Sequence, residues 1–187
     1  MSSDIFSKRI DVSKFDLIYA GAQKNMGPAG TTLVIVKKEA LGKTGRTIPS
    51  MLDYSIHADK ESMFNTPPVF AVYTSMLTLD WLKNLGGVQA IEKINEEKAA
   101  LLYKEIDSNS KFQGVANKED RSLMNATFTL ENENLKDTFE AMLKEAGISG
   151  VNGHRSVGGY RASMYNAMPI DSVKALVEVM SELESKA

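Results

Sequence analysis

"FDLIYAGAQKNMGPAGTTLVIVKK", Phe15 to Lys38, carries two short runs rich in β-branched and aromatic residues around a centre, "KNMGPAG", that is full of breakers. The runs read as two strands, and their near-continuous apolar character suits a sheet covered on both faces, as in α/β proteins. Lys24 stands where the first strand ends, among small residues and the amides Gln23 and Asn25. Ligands bind at strand ends in α/β sheets. A lysine amine attacks carbonyls only when neutral, and an apolar or cation-rich pocket favours the neutral form. The plain alternative is a lysine that snorkels to solvent from a strand end.

Downstream, residues 38 to 68 run from "KEALGKTG" to "NTPP" with weak periodicity, and a loop of that length in a compact domain tends to be functional. "VFAVYTSMLTLDWL" (69–82) is apolar nearly all round, which predicts a buried helix. "GVQAIEKINEEKAALLYKEID" (87–107) predicts a long amphipathic helix with Val88, Ile91, Ile94, Leu101 and Leu102 near one face. In "LMNATFTL" a period of two puts Met124, Ala126, Phe128 and Leu130 on one side of a strand. A helix over 133–147 closed by Gly147, a strand in "YRASMYNA" and a final amphipathic helix complete a small α+β lobe. Two domains follow, 1–92 and 93–187.

Composition narrows the function classes. With 43% hydrophobic and 25% charged residues the chain is an ordinary globular protein, and a net charge of −2 without basic clusters gives no sign of a nucleic-acid or membrane-surface partner. The absence of cysteine removes disulfides, thiolate nucleophiles and Cys-ligated zinc, and two histidines are too few for a histidine metal site. No apolar run has the length of a signal peptide or membrane span, so a cytoplasmic location is expected.

Two further stretches hold candidate site residues. In "GHRSVGGYRAS" (153–163) Arg155 and Arg161 flank a glycine pair, and guanidinium forks bind carboxylates and phosphates in bidentate fashion. His154 adds a donor, and Gly158 and Gly159 permit the tight fold that would turn these cations to one pocket. A loop of solvated charges is the plain alternative. In "FNTPP" (64–68) Asn65 and Thr66 either cap the next helix or offer donors to an anion. His57 reads as a loop histidine without a role. "GPAG" lacks the Gly-Lys-Ser/Thr ending of a phosphate loop.

Taken together, "DVSKFDLIYAGAQKNMGPAG", "SMLDYSIHADKESMFNTPP" and "GHRSVGGYRASMYNAMP" resemble the phosphoserine aminotransferase family, pyridoxal-phosphate enzymes of the fold-type-I, or aspartate aminotransferase-like, class. The resemblance covers essentially the whole chain. It implies an α/β fold made of a remnant of the large-domain sheet plus a small α+β C-terminal domain. It also implies that Lys24 holds pyridoxal 5′-phosphate covalently and that Gln23 contacts the cofactor phosphate. Asn65 and Thr66 match a pair that reaches the phosphate of the partner subunit's cofactor in a homodimer. His154, Arg155 and Arg161 match the cluster that recognises the phosphate and carboxylate of the substrate. The implied reaction is amino transfer from L-glutamate to 3-phosphohydroxypyruvate in serine biosynthesis, with a related step of pyridoxine biosynthesis in many bacteria.

Members of that family are about double this length. The resemblance implies that the half not represented here supplies the aspartate for the pyridine nitrogen, the ring-stacking aromatic and the central strands of the large domain. Residues 1–92 alone are then expected to leave a sheet edge and apolar surface uncovered, and the chain by itself is expected to be inactive. Two other readings remain open: another fold-type-I aminotransferase or desulfurase, and a non-catalytic folding or dimerisation module.

Overall fold

The strands expected around Lys24 are Leu17–Gly21 (β1) and Thr32–Val36 (β2), in a computed structural model that describes residues 2–154 and 158–186. The chain divides into two compact units, Met1–Gly87 and Val88–Ala187. In the first, β1 and β2 pair antiparallel, Leu17 opposite Val36 and Gly21 opposite Thr32. Ile18 and Ala20 are buried, Ala20 in a core made with Ile5, Ala22 and Met26, whereas Leu17 and Tyr19 are exposed. The sheet is therefore covered on one face, not on both as the apolar runs suggested. Two strands and the short N-terminal segment supply a single layer, and nothing else among the described residues of this unit closes the second face.

Val69–Asn84 forms helix α2, but the burial expected for it does not occur. Ala71 and Leu82 are its buried residues, while Val69, Phe70, Tyr73, Met76, Leu77 and Trp81 are exposed, Phe70 at 77%. A helix apolar all round asks for packing on more than one side, and this unit provides one. Within 38–68 lies a short helix α1, Tyr54–Asp59, capped by the Asp53 carboxylate, which accepts from Ser55 N at 2.9 Å. His57 belongs to this helix and not to a loop: its Nε2 lies 3.0 Å from the Met51 carbonyl and its ring meets Phe64 edge-on. Six residues make less than two turns, too few for periodicity to register.

In the second unit α3 (Gly87–Ser108), α4 (Lys136–Glu145) and α5 (Ile170–Lys186) accompany an antiparallel sheet of order β3-β4-β5. The strands are Phe112–Gly114 (β3), Asn125–Leu130 (β4) and Tyr160–Ser163 (β5). Period two holds in β4, with Ala126, Phe128 and Leu130 buried, and Gly147 follows α4 with φ +71°, as a residue ending a helix there should. β3 has three residues, too few for alternation to be seen in the sequence. Rings lock the core: Phe128 stacks on Tyr160 at 5.5 Å, and Phe139 meets Tyr160 edge-on at 5.0 Å. No helix among the described residues is long and apolar enough to cross a membrane.

The buried stripe of α3 differs from the expected one. It runs Ile91, Asn95, Lys98, Ala99, Leu102, Ile106, leaving Val88, Ile94 and Leu101 at its margins. Two polar side chains lie inside it. Lys98 has no exposed surface, and its Nζ donates to the carbonyls of Met164 at 3.2 Å, Tyr165 at 3.0 Å and Met168 at 3.1 Å. One turn earlier, Asn95 Nδ2 donates to Asn166 Oδ1 at 2.9 Å. Helix α3 thus grips the β5–α5 connection at consecutive points.

Burial lowers the Lys98 pKa from 10.5 to about 8, so near neutral pH the ammonium persists and each of its N–H bonds meets a carbonyl. Between those two values the unfolded chain binds more protons than the folded one. Stability from this group therefore lies on its lower plateau below pH 8 and rises as pH climbs towards 10.5. Lys98→Met relieves a buried charge but leaves three carbonyls without their donor, and the second effect wins because the ammonium was already compensated by those bonds. Urea unfolding at pH 7 should show a loss of about 1–3 kcal/mol in the variant, and the wild type should gain stability relative to the variant between pH 8 and 10.5.

Candidate active site

The residues picked from the sequence fall in both units. In the first, β1 ends at Gly21 and the chain makes one tight turn, in which Met26 N and Gly27 N both donate to the Ala22 carbonyl at 2.9 Å. Ala22 N donates to Thr31 O at 3.0 Å, closing the loop back onto the start of β2. Ala22, Asn25 and Met26 are buried, while Gln23 and Lys24 are exposed. Apolar members of the turn hold it down, and the side-chain amide of Gln23 folds back over Gly21.

That loop is seated on the first half of α2. A Cβ at Gly27 would lie 2.8 Å from Ser75 Oγ and 3.1 Å from Ser75 Cα, so only glycine lets the backbone come so close. Thr31 Oγ1 lies 3.3 Å from Ser75 Oγ. Asn65 and Thr66 are exposed in the turn that leads into the same helix. They do not cap it: the residue at the cap position is Pro68, which makes no side-chain capping bond. Asn65 Nδ2 donates instead to the neighbouring Thr66 carbonyl at 3.1 Å. Both polar side chains are left available to a ligand. Lys24 is not sunk in an apolar pocket of this unit, so any desolvation of its amine has to come from a ligand or another chain segment.

In the second unit the glycine pair does what its φ freedom allows. Gly158 and Gly159 adopt φ +80° and +64°, Gly158 N donates to the His154 carbonyl at 2.8 Å, and Gly153 N donates to Gly159 O at 2.8 Å. The loop closes on itself and returns the chain into β5. His154 is exposed within it, and Arg161 is exposed on β5, opposite Thr127, on the sheet face away from Tyr160 and Ala162. Arg161 N donates to Val151 O at 2.6 Å, which fixes its backbone from the other side. Arg155, the third cation expected there, lies outside the described residues.

Sequence reasoning passed over Tyr160, which precedes Arg161 on β5 and faces the opposite side of the sheet. Its hydroxyl is buried and, among the described residues, has no hydrogen-bond partner. Burial, with Glu140, Glu133 and Asp137 nearby, pushes the phenol up to about 12, so it stays a donor. A cavity of about 210 Å³ beside it is bordered by His154 and Lys136 but also by Glu133 and Glu140. Two carboxylates make it a poor receptor for a dianion. A larger cavity of about 570 Å³, lined by Leu102, Ile148, Met164 and Leu176 among others, contains none of the expected site residues. Asn25 was also given no role, although its place beside Lys24 in "QKN" is the signal that would have raised the question.

With this geometry in hand, the likenesses to known proteins are specific. The aminotransferase class-V family model matches residues 1–176. The chain is 72% identical to the phosphoserine aminotransferase of Flavobacterium psychrophilum over 186 residues, which is 100% of this chain and 52% of that protein. Among solved structures it is similar to the phosphoserine aminotransferase from Bacillus circulans subsp. alkalophilus, with a TM-score of 0.94 and 41% identity, covering 100% of this chain and 52% of that one. It is also similar to the PLP-bound phosphoserine aminotransferase from Trichomonas vaginalis, with a TM-score of 0.90 and 39% identity over 97% of this chain and 52% of that one. The chain spans about half the length of the curated relatives it matches. These likenesses bear out the expected α/β fold of a partial fold-type-I enzyme.

The closed loop gives a local prediction. A Cβ at Gly159 would lie 2.9 Å from the Phe128 carbonyl oxygen at a positive φ. Gly159→Ala should therefore destabilise the second unit by about 1–3 kcal/mol in urea unfolding followed by far-UV circular dichroism, through strain and overpacking together.

Proposed function

Because the chain belongs to the class-V aminotransferase family, we propose that it forms the lysine-bearing and anion-binding part of a phosphoserine aminotransferase. The reaction is amino transfer from L-glutamate to 3-phosphohydroxypyruvate, giving 2-oxoglutarate and O-phospho-L-serine. The observation that carries this reading is the Lys24 turn, whose buried members fix it to the core and to α2 and which places Lys24, an exposed residue, at the end of β1.

The donor set suits pyridoxal 5′-phosphate. A primary amine is the group that condenses with an aldehyde, and the exposed side chains of Gln23, Asn65 and Thr66 are neutral donors of the kind that hold a phosphate. When bound, the cofactor supplies the electron sink that makes the substrate Cα proton removable. Lys24 would serve twice: its amine would tether the cofactor and, as a free amine, would take the proton from the substrate Cα. His154, Arg155 and Arg161 hold the substrate's phosphate and carboxylate, the guanidinium forks fixing orientation as well as charge. In the same reading residues 1–92 are part of the large cofactor-holding domain and 93–187 the small one. The working unit is a cytoplasmic homodimer in which Asn65 and Thr66 serve the partner subunit's cofactor, with serine biosynthesis as its setting and the pyridoxine-pathway substrate as a second one.

The test is a pyridoxal-phosphate titration of the purified chain, trapped with borohydride and mapped by peptide mass spectrometry. A stoichiometric adduct at Lys24 that is lost in Lys24→Ala is expected, and labelling scattered over the lysines would sink the reading. Because the relatives are about twice as long, the isolated chain is expected to show no transamination of 3-phosphohydroxypyruvate by glutamate above background. Turnover by the chain alone would show that its half of the family's length suffices.

A further inference from the structure

Asn25 follows Lys24 directly and is the buried polar side chain of the lysine's turn, 4% exposed. Its Nδ2 donates to the Ser3 carbonyl at 2.7 Å and to the Ile5 carbonyl at 3.0 Å. A primary amide is the neutral side-chain group that carries two N–H donors on one atom, which two backbone acceptors two residues apart require. The same N-terminal segment takes hold of the other end of the turn, since Gly21 N donates to Ser2 Oγ at 2.9 Å. That segment is itself folded: Ser7 N and Ser7 Oγ both donate to the Asp4 carbonyl, at 3.0 and 2.7 Å, and Ile5 packs with Ala20, Ala22 and Met26.

Without that hold the turn would keep its buried Ala22 and Met26, the Ala22 to Thr31 bond and the close approach of Gly27 to Ser75, but the residue next to Lys24 would no longer be tied to the N-terminal segment. Two bonds to one carbonyl close the turn itself, and so few bonds leave its remaining dihedrals weakly fixed. We propose that Asn25 is the positioning residue of Lys24: by clamping the lysine's turn to the Ser3 and Ile5 carbonyls it sets the direction in which the amine leaves the end of β1. The inference rests on the reading of Lys24 as the cofactor lysine, and it deepens that reading by making the N-terminal segment part of the lysine's support. Asn25 touches no reacting atom and acts through its neighbour.

The experiment uses the whole chain and needs no cofactor. Lysines are reductively dimethylated with 13C-formaldehyde, the Lys24 methyl signal is assigned with Lys24→Arg, and amide exchange is followed at Met26 and Gly27. In the wild type the Lys24 signal should stand apart from the exposed, mobile lysines. Asn25→Leu, close in shape but without donors, should bring it onto them and speed exchange at Met26 and Gly27 about tenfold, with the amides of α5 unchanged.

Asn25→Asp supplies a readout that mere space-filling would not move. A carboxylate there faces two carbonyl oxygens, whereas the protonated acid donates one bond. The distinct Lys24 signal should therefore return as pH falls through a carboxyl pKa raised by burial, a response the wild type lacks. If Asn25→Leu does not fold, the pH series on Asn25→Asp carries the test. A wild-type Lys24 signal already like the others, or variants that keep the wild-type signal at every pH, would overturn the proposal. A signal that responds as expected in a chain that pyridoxal phosphate never labels at Lys24 would support the clamp and remove the cofactor reading instead.

Discussion

An ammonium with no exposed surface must find an acceptor for every N–H bond, and Lys98 finds all three in the backbone of one connection. Carbonyls, unlike a carboxylate, can serve only if the chain bends so that three of them converge. The connection between β5 and α5 has that bend, and the Asn95 to Asn166 bond extends the grip by a turn of helix. The second unit follows from it. β5 is held along its length by β4, its exit is held by α3, and α5 must start where the connection ends. Arg161 is displayed on a strand whose two ends cannot drift.

The first unit is built on a thinner basis. Its core cluster among the described residues is Ile5, Ala20, Ala22 and Met26, two of them alanines, with Phe6, Ile10, Leu33 and Leu79 partly buried around them. The large apolar residues of α2 lie on its surface. What orders the Lys24 turn is therefore less hydrophobic mass than a few directed bonds and a close backbone approach at Gly27. The two units are organised by different physics: β5, which carries Arg161, stands on a packed aromatic core, and the Lys24 turn on hydrogen bonds to a terminal segment.

Much of this was legible in the sequence because local patterns and tertiary roles agreed. β1, β2 and β4 announce themselves by β-branched runs or alternation, and α3 to α5 by their amphipathic faces. Legibility failed where a position's role depends on partners far along the chain. Lys98 reads as one more solvent-facing charge on α3, because nothing local shows that residues 164–168 will present three carbonyls to it. Asn25 reads only as an amide beside Lys24 for the same reason. α2 misled in the opposite direction: its apolar sequence describes the burial the helix is suited to, and this chain does not supply it. Lys24 itself was found by chemistry more than by pattern, from a lone amine at a strand end.

The chain has one tryptophan, Trp81 on α2 in the first unit, whereas most of the helical residues belong to the second. Fluorescence and far-UV circular dichroism therefore watch different bodies. Two units so unequal in core need not unfold together, and their transitions will coincide only if the pair behaves as one cooperative system. A melting temperature taken from tryptophan emission describes the lysine-bearing unit, and one taken from ellipticity describes mainly its neighbour. For this chain a single free energy of unfolding is undefined until those two curves have been laid over each other.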